Sequence, residues 1–303
     1  MPAPPRPHPD LPSVAPAAAL PTIDHRAPEA PARFCASLRD TGFAVLSHHP
    51  IAGSLIRQVE REWLAFFDSD ARHDPALAFD VATQDGYVPP RQSETAKGSA
   101  HKDLKEFFHL YRGGRYPAAV SDAARRYGDA AEALAAELLG WVEAHSPAEV
   151  RARYSEPLPQ MIEGSRQNLL RILRYPPLRG DEPAGALRAA AHEDINLLTV
   201  LPAAREPGLE VLARDGSWLA VPCSRDGAEP LLVINTGDML QEASGGHYPS
   251  TTHRVVNPSG AAARVSRVSM PLFLHPRPEV RLSDRHSAGS YLAERLRELG
   301  LKP

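Results

Sequence analysis

The sequence predicts an α+β domain in which helices come first and an antiparallel β-core follows. Two patterns carry that expectation. Stretches with helical spacing dominate the first half, whereas the second half breaks into short Leu-, Val- and Ile-rich runs separated by glycine, proline and aspartate. Several short strands with turn signals between them indicate a sandwich or barrel rather than βαβ units. With 43% hydrophobic and 23% charged residues in 303, the chain can bury a substantial core, which excludes collagen-like and wholly disordered classes.

In chain order, the first segment stands apart. Eight of the 31 prolines fall within MPAPPRPHPDLPSVAPAAALP, where each removes a backbone donor and clashes with the preceding turn. Residues 1–19 are therefore expected to form a proline-rich flexible arm, with one domain spanning 20–303. LPTID reads as a short strand, 30–40 as a helix, and FAVLSHH after Gly42 as a buried strand. Residues 53–67 place Ile56, Val59, Trp63, Phe66 and Phe67 at helical spacing. A long irregular stretch follows over 68–105, and 118–145, rich in Ala and Leu, predicts a helix. The helical half thus covers about 20–150 and the β-core about 165–280. Strands are expected at 168–175, 197–201, 209–212, 231–235, 253–256 and 264–274, and a final helix at about 287–300.

A formal net charge of −3 leaves no broad electrostatic footprint for nucleic acid or an anionic membrane surface. Two cysteines, Cys35 and Cys223, cannot build a disulfide framework. No apolar run approaches the roughly 20 residues that span a bilayer, and the first segment is too short and proline-broken for a signal peptide. These features lead to the expectation of a cytoplasmic protein with no nucleic-acid or membrane partner. The sequence is silent on its oligomeric state.

The chemistry concentrates in AAHEDINLLTVLP. His192 and Asp194, two apart on a strand, would point to one face and meet one ion. A second histidine from another strand would complete the set, and His253 in STTHRVVNP is the candidate. Two histidines and a carboxylate form the facial triad of non-haem Fe(II) oxygenases, with positions left open for substrate and dioxygen. The zinc-peptidase pattern H-E-x-x-H fails here, because Asn196 stands where its second histidine would be.

An isolated H-x-D pair arises readily by chance, but its order in the chain is informative. LPTIDHR, TGFAVLSHHPI, RILRYPP, AAHEDINLLTVL, INTGDMLQ, STTHRVVNP and RVSMPLFLHP, spread over about 20–276, resemble the isopenicillin N synthase-like family of 2-oxoglutarate/Fe(II)-dependent oxygenases. The resemblance implies a double-stranded β-helix (jelly-roll) core with flanking, mainly N-terminal, helices. It implies His192, Asp194 and His253 as iron ligands, and Arg267 with Ser269 as the anchor for the distal carboxylate of 2-oxoglutarate. A guanidinium can grip a carboxylate through two parallel hydrogen bonds. Arg264-Val265-Ser266 repeats the spacing, but on a regular strand the two pairs face opposite ways. Arg267/Ser269 directly precede MPLFLHP, as the family pattern requires. Tyr175 matches a family tyrosine that reaches co-substrate or substrate. Asn196, Tyr87 and Arg91, with Lys97 and Lys105, are candidate substrate contacts, and ordinary turn or loop roles are the competing readings.

The implied activity is that of a dioxygenase using Fe(II), 2-oxoglutarate and O2 to hydroxylate, desaturate or cyclise a small molecule. Two alternatives stand beside it. One is an Fe(II) oxidase of the isopenicillin N synthase type that needs no 2-oxoglutarate. The other is a non-catalytic jelly roll that binds a small molecule, for which degenerate ligands would be the mark.

Overall fold

The computed structural model describes residues 20–93, 101–225 and 227–298; the proline-rich arm and Lys97 lie outside them. The chain opens with β1 (Thr22–Asp24), α1 (Ala30–Thr41), β2 (Phe43–Ser47) and α2 (Gly53–Asp68). β3 (Gly86–Val88), β4 (Glu106–Tyr111), α3 (Ala123–His145), α4 (Ala148–Arg151) and α5 (Leu158–Ile162) complete the first half. The second half runs β5 (Leu169–Tyr175), β6 (Ala189–His192), β7 (Leu198–Pro202), β8 (Leu209–Leu212), β9 (Trp218–Ala220) and β10 (Leu232–Thr236). It ends with α6 (Asp238–Ser244), β11 (His253–Val255), β12 (Arg267–Ser269), β13 (Leu272–Leu274) and α7 (Ala288–Glu298).

Two sheets form a jelly-roll core. The large one is ordered β1-β2-β10-β7-β13-β5-β4-β3, with β12 also paired to β5, and the small one is ordered β6-β11-β8-β9. All pairings are antiparallel except β1 with β2. The large sheet is buried on both faces, which is why its strands read as continuous apolar runs. On β2, Phe43 and Val45 point into the space between the sheets, while Ala44 and Leu46 meet the helices. β5 repeats the alternation, with Leu173 and Tyr175 inward and Leu170 and Ile172 toward the helix layer. Helices α1, α2 and α3 cover that outer face.

Several expectations change. The N-terminal half holds two strands beyond the expected β1 and β2, because β3 and β4 widen the large sheet. The described residues of the stretch 68–105 contain three 3-10 turns and β3, and β4 follows it directly. The third helix begins at Ala123, five residues after the expected start. The run 264–274 divides into a 3-10 turn ending at Arg264, then β12 and β13, separated at Met270–Pro271. A proline supplies no ladder donor, so a strand breaks there. INTGDMLQ carries the end of β10 and the start of α6, a helix that the sequence reading did not include.

Candidate metal centre

β6 ends at His192, so Asp194 lies in the loop just beyond the strand, not two places along it as the spacing predicts. His253 opens β11 and is the cross-strand partner of His192. The two imidazole centroids are 4.3 Å apart. Asp194 Oδ1 lies 3.9 Å from His192 Nε2 and 3.8 Å from His253 Nε2. Among the described residues this trio forms a cluster with metal-ligating geometry, its ligand atoms all within 4.8 Å of one another.

The surrounding hydrogen bonds decide which atoms remain free. His192 Nδ1 donates to the Ala190 carbonyl at 2.8 Å, and His253 Nδ1 to the Thr251 carbonyl at 3.1 Å. A carbonyl only accepts, so each proton is fixed on Nδ1 and each Nε2 keeps its lone pair. Asp194 Oδ2 accepts from Thr199 Oγ1 at 2.6 Å and from Asn235 Nδ2 at 2.8 Å, which leaves Oδ1 for an ion. Outer partners of this kind orient ligands and tune their basicity. Burial and the neighbouring His253 push the His192 imidazole down to about 4, so it is neutral at pH 7, the form that can bind a metal. Burial alone would raise Asp194, but the two imidazoles and the bonds from Asn235 and Thr199 hold it below the usual carboxylate value. Two imidazoles and one carboxylate suit a divalent transition metal such as Fe(II), so the residues fit the ion that the sequence implies.

The loop carrying Asp194 is clamped from behind. Backbone amides at the start of α6 reach its carbonyls: Asp238 to Asp194 (2.8 Å), and Met239 to Ile195 (3.2 Å) and Asn196 (3.1 Å). Gly237 packs so closely that a Cβ there would sit 2.3 Å from both Asn196 oxygens.

The two Arg-x-Ser pairs differ in placement. Arg264 is exposed on the 3-10 turn, whereas Arg267 is buried. Arg267 pairs across the ladder with Tyr175, and Ser269 with Leu173. Its guanidinium carbon is 5.9 Å from the Tyr175 ring centroid, and Nη1 donates to the carbonyls of Glu206 (3.2 Å) and Pro207 (3.1 Å). Its Nε is buried without a partner. Burial also raises the Tyr175 hydroxyl above its ordinary value.

The remaining candidates are placed differently. Asn196 is fully buried; its Nδ2 donates to Leu198 O (3.0 Å) and Thr199 Oγ1 (2.9 Å), so it steadies the hydroxyl that holds Asp194 instead of facing a substrate. Tyr87 lies in the aromatic cluster of Phe66 and Phe67 and donates its hydroxyl to Glu106, which commits it to the core. Arg91 is exposed on the 3-10 turn Pro90–Gln92. Lys105 is buried with Nζ 2.8 Å from Asp103 Oδ2, and Asp103 Oδ1 accepts the Ala190 amide at 2.9 Å, tying this pair to β6. Sequence reasoning missed Thr199 and Asn235. The available signal was a polar or charged residue inside an apolar run, since such groups are buried only with partners.

Comparison with known proteins places this architecture. Residues 166–276 match the 2OG-Fe(II) oxygenase superfamily, and residues 17–132 match a family described as non-haem dioxygenase in morphine synthesis N-terminal. A protein of Shewanella oneidensis described as an oxygenase is 52% identical, with a TM-score of 0.83 over 93% of this chain and 99% of its own. A protein of Caulobacter crescentus described as belonging to the 2OG-Fe(II) oxygenase family is 29% identical, with a TM-score of 0.75 over 93% and 99%. A Neurospora crassa protein, solved with alpha-KG and thymine, shares the fold at 21% identity and a TM-score of 0.74, over 92% of this chain and 96% of its own. Among curated relatives, a 2-oxoglutarate-dependent dioxygenase of Monascus ruber is 38% identical over 91 residues, and the match spans 29% of this chain but about a quarter (26%) of that relative. The half-by-half family matches and the nearly full-length 52% relative agree with the geometry of the trio, and the chain belongs to the 2OG-Fe(II) oxygenase superfamily.

Proposed function

We propose that this protein is an Fe(II)- and 2-oxoglutarate-dependent dioxygenase that oxidises a small molecule. In this reading His192, Asp194 and His253 hold the metal, and Arg267 with Ser269 holds the distal carboxylate of 2-oxoglutarate. The observation that carries it is the hydrogen-bond pattern: backbone and side-chain partners occupy Nδ1, Nδ1 and Oδ2 and leave two Nε2 atoms and one Oδ1 converging. With Fe(II) held there, 2-oxoglutarate would supply two of the electrons that reduce O2, so that one oxygen atom ends in succinate, with release of CO2, and the other oxidises a C–H bond of the substrate.

The chain's own residues bind, orient and exclude water. Thr199 and Asn235 keep Asp194 ionised and aimed, and the Ala190 and Thr251 carbonyls fix the imidazole tautomers. Tyr175 and Arg267 supply an enclosed cationic end for a carboxylate, where a charge-assisted bond is stronger than in water. The Neurospora crassa protein, with alpha-KG and thymine in one structure, supports the view that this fold can serve a small substrate beside a 2-oxo acid.

The test is succinate release by the iron-loaded protein across a panel of small metabolites. Release coupled to substrate loss, and abolished in Asp194→Ala, is the expected result. Oxygen uptake with substrate loss but no succinate would replace it with the oxidase reading that needs no 2-oxoglutarate.

A further inference from the structure

Arg188, which immediately precedes β6, is completely buried. Its Nη2 donates to the Val265 carbonyl at 3.3 Å, and its backbone amide donates to Asn257 Oδ1 at 2.9 Å. Its Nε and Nη1 are enclosed without any partner. A buried guanidinium with two unsatisfied nitrogens is costly, because desolvation is not offset by a counter-charge. Among the described residues no carboxylate pairs with Arg188 or with Arg267.

The two guanidinium groups converge on one ring. Arg188 lies 5.8 Å and Arg267 5.9 Å from the Tyr175 centroid, one approaching from the small-sheet side and the other from β12 of the large sheet. Burial lowers both from the usual arginine value, and Arg188 is lowered further by Arg267 itself. The nearby Lys105 is already paired with Asp103, and Glu206 offers Arg267 its backbone carbonyl rather than its carboxylate. Two cations without an ion-pair partner among the described residues thus flank one buried tyrosine.

We propose that Arg188 is the second arm of a two-arginine clamp on the distal carboxylate of 2-oxoglutarate, with Arg267 as the first arm. The proposal rests on the co-substrate reading above. Arg267 keeps its Nε, and Arg188 its Nε and Nη1, without a partner, so each arm has a free N–H donor for one oxygen of the carboxylate. The carboxylate then bridges residues contributed by the two sheets.

Equilibrium binding to the Mn(II)-loaded, non-turning-over protein tests it, with calorimetry as the readout. The probes are 2-oxoglutarate and 2-oxobutyrate, which keeps the 2-oxo acid but lacks the distal carboxylate. Wild-type protein is expected to prefer 2-oxoglutarate. Arg188→Met should weaken 2-oxoglutarate about 10- to 100-fold, the worth of a charge-assisted hydrogen bond, and leave 2-oxobutyrate unchanged. Removing an unpaired buried charge should also raise the Tm of the ligand-free variant. Arg188→Lys, which keeps a charge without the fork, should bind 2-oxoglutarate with intermediate affinity and serves if the Met variant does not fold. Wild-type affinity for 2-oxoglutarate in these variants overturns the clamp. No preference for 2-oxoglutarate in the wild-type protein itself overturns the co-substrate reading instead.

Discussion

Asp194 carries its charge in the interior because each oxygen has a separate task. Oδ2 is held by Thr199 and Asn235, and Oδ1 is turned toward the two imidazoles. Thr199 is itself oriented by Asn196, so the chain Asn196–Thr199–Asp194 sets the carboxylate's angle from two residues behind it. Removing such an outer partner typically costs 10- to 100-fold in metal affinity. Thr199→Val, which keeps the shape and deletes the hydroxyl, should weaken Fe(II) or Mn(II) binding by about that factor, with activity recovering as metal is raised. A metal titration followed by an assay at saturating metal measures both effects. Unchanged metal affinity would mean that Asn235 alone holds the carboxylate.

At the scale of elements, the contact between the start of α6 and the Asp194 loop is decisive. Gly237 has φ −110°, which any residue can adopt, so its glycine is required by space rather than backbone freedom. A Cβ there would lie 2.3 Å from the Asn196 oxygens and 2.8 Å from the Asp194 carbonyl, all atoms of the loop that presents the metal ligand. Gly237→Ala should therefore cost about 1–3 kcal/mol in stability, as overpacking does, and lower metal affinity with it. Gly128, within α3, is the contrasting case, since its Cβ would meet only Leu170 Cδ2 at 3.8 Å. Gly128→Ala should stabilise by about 0.5–1 kcal/mol and leave metal binding untouched, as thermal melts with and without Mn(II) would show. The same scale explains what the sequence made legible. β2, β5, β7 and β10 are buried on both faces and stand out as apolar runs between turn residues. β4 opens on Glu106, a buried carboxylate that pairs with Arg174 on the neighbouring strand, a tertiary partnership that its local sequence does not display. α6 spans seven residues between Gly237 and Gly245, too few to display a helical period. The three residues of the candidate metal centre were legible by order and residue type. The atoms that orient them were not, because Ala190 and Thr251 act through backbone carbonyls that carry no sequence signal.

Across the whole molecule, the site lies where two sheets of unequal strength meet. His192 and His253 belong to the small sheet, whose strands are three or four residues long. Asp194 is held by Thr199 on β7 and Asn235 on β10, both in the large sheet, which the helix layer covers. A metal ion bound by all three would tie the weakly bonded small sheet to the rigid one. Short strands with few ladder bonds open locally at lower free energy than a buried core. In metal-free protein, amides of β6 and β11 should therefore exchange with deuterium faster than those of β5, β7 and β10. If local opening of the small sheet releases the ion, a ligand at 100 times its Kd stabilises the closed form by about 2.7 kcal/mol, which slows exchange there about 100-fold. Mn(II) should thus protect β6, β11 and the 193–197 loop selectively and leave exchange in α1 and α7 unchanged. Protection spread evenly over the chain would show instead that the small sheet does not open on its own and that the ion stabilises only the global fold.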